Sequence, residues 1–243
     1  MVGQKSTSMK IITVSLVALI ACIFQGCYSV EQSDVERGYR YIARGDYNTA
    51  IKIFSSVLKT NPENILALVG RGNALADNKE YIKAFVNYDR AISCWEHSQA
   101  SEIARGDVVK TNTSETIGKK PFSYQNQGLT FKHGLGTSLY YLRGVCWYEY
   151  AKQGDGMYDG DKLTNAVADY TKAIELNPNN VEAYINRASI NHMAGNLQQA
   201  LDDYDKALEL TPKDEKLKAA RAKTIKYIRE NIKPQIRAEP PPN

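Results

Sequence analysis

Residues 181–214, VEAYINRASINHMAGNLQQALDDYDKALELTPKD, decide how the rest of the chain is read. Packing residues return at helical spacing in two runs: Tyr184, Ala188 and Asn191, then Leu197, Ala200, Tyr204 and Ala207. Gly195-Asn196 supplies a tight turn between the runs, and Pro212 closes the second. Spacings of three and four put each set on one helical face, so the stretch predicts an antiparallel helical hairpin. Such a pair cannot bury its apolar faces alone, which predicts neighbours built on the same plan.

Outward from this stretch, the chain supplies those neighbours. The frame fits residues 31–64 with Gly38, Tyr41, Ala50, Phe54 and Pro62, and residues 65–98 with Gly72, Leu75, Ala84, Tyr88 and Ala91. Glu96 stands in the second copy where a proline is expected. A further copy, 137–180, carries Tyr140, Gly144 and Trp147, then Ala166, Tyr170, Ala173 and Pro178 beyond a longer turn. Together these residues resemble the tetratricopeptide-repeat (TPR) pattern W-x2-L-G-x2-Y…A-x3-F…P, with its period of about 34 residues. The resemblance implies an all-α fold, a right-handed α-solenoid of four helical hairpins whose first helices line a concave groove.

The expected organisation is a repeat domain over 31–214 (copies 31–64, 65–98, 137–180 and 181–214), broken by an insertion at 99–136. Residues 215–233 form a capping helix, with Leu217, Ile225, Ile228 and Ile232 inward and Lys/Arg outward, as a repeat stack needs for solubility. Residues 234–243 read as a disordered proline-rich tail. The 243 residues suffice for one stacked core, and a net charge of +4 makes no case for nucleic acid. That charge is concentrated: 213–237 holds nine Lys/Arg against Asp214, Glu215 and Glu230.

At the start, the apolar run Ile11–Ala21 follows Lys5 and Lys10 and is too short to span a bilayer. A basic start, apolar middle and small-residue end predict a secretory signal peptide over 1–26. Gly26-Cys27 resembles a bacterial lipoprotein processing site, with Ala21-Cys22 as the alternative, so residues 27–30 become an acylated anchor and short tether. If Met9 is the true start, the leader has an ordinary length. More than one acyl chain gives a stable anchor where one gives marginal binding. The remaining cysteines, Cys94 and Cys146, are expected as small buried packing residues rather than a disulfide.

Two insertions interrupt the period. In 99–136, SEIAR extends the preceding helix, while PFSYQNQGLTFKHG alternates around Asn126-Gln127-Gly128 and predicts a small β-hairpin. A loop of this length serves either as a lid or partner contact, the favoured reading, or as a disordered linker. The segment AKQGDGMYDGDK lengthens the third hairpin turn. Met157 and Ala166 stand where a calcium loop needs ligands, so it reads as a polar turn.

One departure from the family pattern recurs. Arg37, Arg71, Arg143, Arg187 and Arg221 precede the small residue, where the pattern has leucine. A half-buried arginine must find acceptors. Asp89, Asp169, Asp203 and Asp205 on the second helices are the expected partners of a structural ladder, and the first copy offers none.

The resemblance assigns the groove lining to residues three before, and one, four and five after, the small residue of each first helix. That gives Val35, Tyr39, Ile42 and Ala43; Val69, Asn73, Ala76 and Asp77; Tyr141, Val145, Tyr148 and Glu149; and Ile185, Ser189, His192 and Met193. Family members that clamp a peptide's terminal carboxylate place Lys, Arg and Asn here. Only Asn73 fits, so that mode is not expected. The lining suits a protein or peptide partner whose side chains fill pockets, or a homodimer.

Catalysis finds no support: His97, His133 and His192 lack metal-ligand spacing, and no phosphate loop or nucleophile elbow occurs. No metal or cofactor is expected. The leading reading is a non-catalytic envelope lipoprotein scaffold with a protein partner and a membrane anchor. The alternatives are a cytosol-facing adaptor with an uncleaved anchor, and a ligand-binding or enzymatic module built on 99–136 around Phe122, Tyr124 and His133.

Overall fold

A polar side chain opens most of the helices. Asp46, Asn64 and Asn180 each accept a hydrogen bond from the backbone N–H three residues on, at 3.0, 2.9 and 3.1 Å. Asp214 does the same for Leu217 at 3.0 Å, and Asp159 receives the N–H groups of Asp161 and Lys162. Each side chain satisfies donors that a helix start leaves bare. The closing signals are Asn61-Pro62, Asn177-Pro178 and Thr211-Pro212. At each, the residue before proline leaves the α region while its own N–H still reaches back to the helix.

The computed structural model describes residues 31–104, 134–152 and 157–231. Among these it is helical, with no strand. The helices are α1 (31–42), α2 (Tyr47–Thr60), α3 (Ile65–Asp77), α4 (Tyr81–Ala104), α5 (Leu135–Ala151), α6 (Gly160–Leu176), α7 (Val181–Met193), α8 (Leu197–Leu210) and α9 (Glu215–Asn231). From α2 to α9, each packs on its neighbours in sequence order. This is the all-α solenoid of four hairpins and a closing helix. Three expectations lie outside the described residues: the lipoprotein leader with Cys22 and Cys27, the β-hairpin of the insertion, and the proline-rich tail. Among the described residues no helix is long and apolar enough to cross a membrane.

α4 runs to Ala104, as the SEIAR segment led one to expect, because no proline follows Trp95. One boundary differs: α5 begins at Leu135, two residues before the expected start of the third copy. The α4–α5 junction therefore lacks a short connection and is held by side chains. Phe85 and Trp147 stack at 3.9 Å between ring centroids, and Tyr150 contacts both these rings and Tyr81. Tyr140 donates to Glu96 at 2.6 Å. A long connection adds only logarithmically to the closure cost, so such contacts can offset it.

The first, second and fourth hairpin turns share one backbone requirement. Gly45 and Gly195 adopt φ of +76° and +80°, and Lys79 holds the same place at +63°. Gly195→Ala is expected to cost about 1 kcal/mol, entirely conformational, since a Cβ there meets nothing within 4 Å. Lys79→Gly should instead raise stability by up to about 1 kcal/mol. Urea unfolding of the two variants checks both signs.

Candidate functional site

Two rows of side chains run along the stack, one between the helices and one on the groove-side places of the first helices. The row between the helices is the arginine series. Arg71 donates to Asn87 at 2.7 Å and Ser55 at 3.3 Å. Arg143 forks onto Asp169 at 2.9 and 2.7 Å and reaches Asp89 at 2.6 Å. Arg187 forks onto Asp203 at 2.9 and 2.7 Å and reaches Thr171 at 2.9 Å. Arg221 bonds Asp205 through both Nε and a terminal nitrogen. Each of the three inner arginines thus joins its own second helix to the one before it. Fork-on-carboxylate geometry is the strong form of such a bond, and Asp203 holds the Arg187 guanidinium above its usual pKa. Arg37 differs: its own second helix offers Ile53, and it pairs with Asp34 on α1 at 2.9 Å.

The groove row is less uniform than the sequence suggests. Tyr39, Asn73 and Tyr141 are buried, at 5, 6 and 2% exposure, and present no surface to a partner. The reason is local. Tyr39 donates to the Leu66 carbonyl at 3.0 Å, Asn73 accepts from the Tyr88 hydroxyl at 2.7 Å, and the Tyr141 hydroxyl accepts from Asn186 at 3.0 Å. Val35, Ile42 and Val69 are buried beside them. Tyr148, Glu149, Ile185, Ser189 and His192 remain half-buried, and Met193 is exposed. Ser189 donates to the Ile185 carbonyl, and Glu149 pairs with Lys152.

The closing helix extends this row. His192 Nδ1 lies 2.9 Å from the hydroxyl of fully buried Thr224, and its ring meets Tyr227 at 5.8 Å. Repeating the step from Arg187 to Arg221 sets Lys223, Lys226 and Tyr227 at the places of Ser189, His192 and Met193. These groove residues escaped the sequence reading, although the arginine series already carried the register into α9. Tyr158 was also missed: it comes from the lengthened third turn and stacks on Tyr148 at 6.0 Å. Nothing periodic announces it.

Asp77 closes α3 on this row, and burial pushes its carboxyl up from 3.8 to about 6. The folded state keeps a proton that the unfolded chain has shed, so stability falls as pH rises from about 4 to about 6 and stays reduced above. Discounted for its partial exposure, the loss is on the order of 1 kcal/mol. Asp77→Asn should flatten stability over that window, as thermal unfolding at pH 4, 5, 6 and 7 would read.

Cys94 and Cys146 are free thiols, and burial raises the pKa of both. No group of three His, Cys, Asp or Glu among the described residues could hold a metal ion.

Family profiles described as tetratricopeptide repeat match residues 35–98 and 181–214, and one described as TPR repeat matches 154–195. The chain belongs to the tetratricopeptide-repeat proteins. A TPR repeat-containing protein of Methanocaldococcus jannaschii is 26% identical over 179 residues, 67% of this chain and 29% of that protein. The chain therefore spans less than a third of that TPR relative. The crystal structure of MamA protein aligns over 88% of this chain and 98% of its own, at 16% identity and a TM-score of 0.51. That of YrrB, titled a TPR protein with an unusual peptide-binding site, aligns over 82% and 77%, at 15% identity and 0.51. At these identities the likeness is one of TPR fold.

Proposed function

We propose that this chain is a non-catalytic scaffold that binds a protein or peptide along its groove row, while an acyl group on Cys27 holds it at a bacterial envelope membrane. One observation carries the binding half. The inner arginines, the feature best suited to an anionic ligand, spend their donors on bonds between helices, whereas the groove row leaves aromatic and apolar side chains accessible. Such side chains make binding hot spots, and the polar bonds beneath them keep the wall rigid. The anchor half rests on the basic, apolar and small-residue order of the leader ending at Gly26-Cys27.

A photo-crosslinking side chain at Met193, compared with one at Ile82 on the second-helix side, tests the binding half in native membranes. Discrete adducts from Met193 and none from Ile82 are expected. Equal adducts from both positions would overturn a groove-side site, and adducts only with a second copy would replace partner binding by self-association. Palmitate labelling tests the anchor: Cys27→Ala should lose the label and Cys22→Ala should keep it. Unlabelled wild-type chain would remove the lipoprotein reading.

A further inference from the structure

Along the groove row the accessible apolar surface is gathered at one end of the stack, while the exposed Ile82 and Val86 lie on the second helix α4, outside that row. Of seven large apolar side chains left exposed among the described residues, Met193 and Tyr227 lie in the late groove row, and Met157 and Tyr158 in the turn that stacks on Tyr148. In the early row Tyr39, Val69 and Asn73 are closed by their own packing, and the places left accessible there, Ala43, Ala76 and Asp77, offer no large apolar side chain. Charge divides the same surface. Glu149, near the end of α5, is paired with Lys152, whereas α9 brings Lys223 and Lys226 to the opposite edge. Lys223 makes no ion pair among the described residues, and Lys226 reaches Glu230 only at 3.7 Å.

We propose that binding is confined to α5, α7 and α9, and that this surface takes an internal, extended peptide segment whose aromatic or aliphatic side chains are followed by acidic ones lying over Lys223 and Lys226. The inference rests on the groove reading above and names its extent and its partner class. Two spacings of roughly 10 Å between successive first helices put about 20 Å between α5 and α9, which about six extended residues span. Met193 and the tyrosines supply adaptable apolar contact, and the lysine edge sets the direction in which the segment lies.

Selection from a phage library of random twelve-residue peptides on the full chain tests this, with enriched sequences resynthesised as C-terminal amides and measured by fluorescence anisotropy. Enriched peptides should carry an aromatic or aliphatic core followed by Asp or Glu. Met193→Ser with Tyr227→Ser should weaken them by about tenfold or more. Lys223→Glu with Lys226→Glu should weaken the acidic peptides and turn the selection toward Lys and Arg. Ala43→Arg, at the early end, should change nothing. Helicity by circular dichroism confirms folding, and the single changes Met193→Gln and Tyr227→Gln replace any double variant that loses it. Peptides indifferent to the α7 and α9 changes, or weakened by Ala43→Arg instead, would overturn this inference and leave the groove reading standing. Enrichment without acidic residues would overturn the assigned partner class, and no enrichment at all would overturn both.

Discussion

Phe54→Ala is expected to open the first two repeats while the last hairpin and α9 keep their structure. Phe54 is fully buried, and its ring edge meets Tyr39 at 5.1 Å. It lies in a slot made by two glycines: a Cβ on Gly38 would come within 2.6 Å of the ring, and one on Gly70 within 2.3 Å. The glycine walls carry no side chain that could fill the slot, so the truncation should cost about 3–5 kcal/mol. Repeat stacks couple only neighbours, which confines the damage. A separate core around Tyr184, Tyr204 and Leu217 holds the other end together. Hydrogen exchange should show lost protection across 31–77 and retained protection across 181–231. Uniform loss along the chain would mean one cooperative unit and refute the local account.

Asp203→Ala carries the second large effect. Asp203 and Arg187 are 8 and 20% exposed. Among the described residues Thr171 is the one other side chain to which Arg187 donates a hydrogen bond, its guanidinium also lying over the Tyr184 ring. Removing the carboxylate strands a half-buried guanidinium, at a cost of about 3 kcal/mol. Replacing both partners, Arg187→Leu with Asp203→Leu, should return much of that loss, because no uncompensated charge remains. Asp205→Ala should cost no more than about 1 kcal/mol, since the Arg221 pair is far more open to water. Urea midpoints of these variants order the three results. If Arg187→Leu left stability untouched and abolished peptide binding, the arginine row would be a ligand site after all.

The contrast between the two rows shows what a sequence can disclose. The arginine register was legible because each arginine and its acceptor lie on helices of fixed spacing: sixteen residues separate Arg187 from Asp203 and Arg221 from Asp205. Arg71 departs from the expectation, bonding Asn87 at the same spacing while Asp89 goes to Arg143. Where the third turn lengthens, the separation grows to twenty-six for Arg143 and Asp169, and the bond survives because both residues keep their helical places. The groove row was only half legible. Its places follow from periodicity, but whether a place is open depends on what fills it. Tyr39, Asn73 and Tyr141 turn inward onto a carbonyl, a tyrosine hydroxyl and an asparagine supplied by other helices.

Hairpins, turn residues, helix ends and the order of stacking were determined by the sequence itself, because these are local matters: a period of 3.6, a capping oxygen, a proline, a glycine at positive φ. The tertiary structure alone decided which part of the shared face remains accessible. It sealed the early half, seated α9 against His192 through Thr224 and Tyr227, and laid Tyr158 on Tyr148. Burial is a property of the space between helices, and no single helix carries the information about what its neighbours will cover.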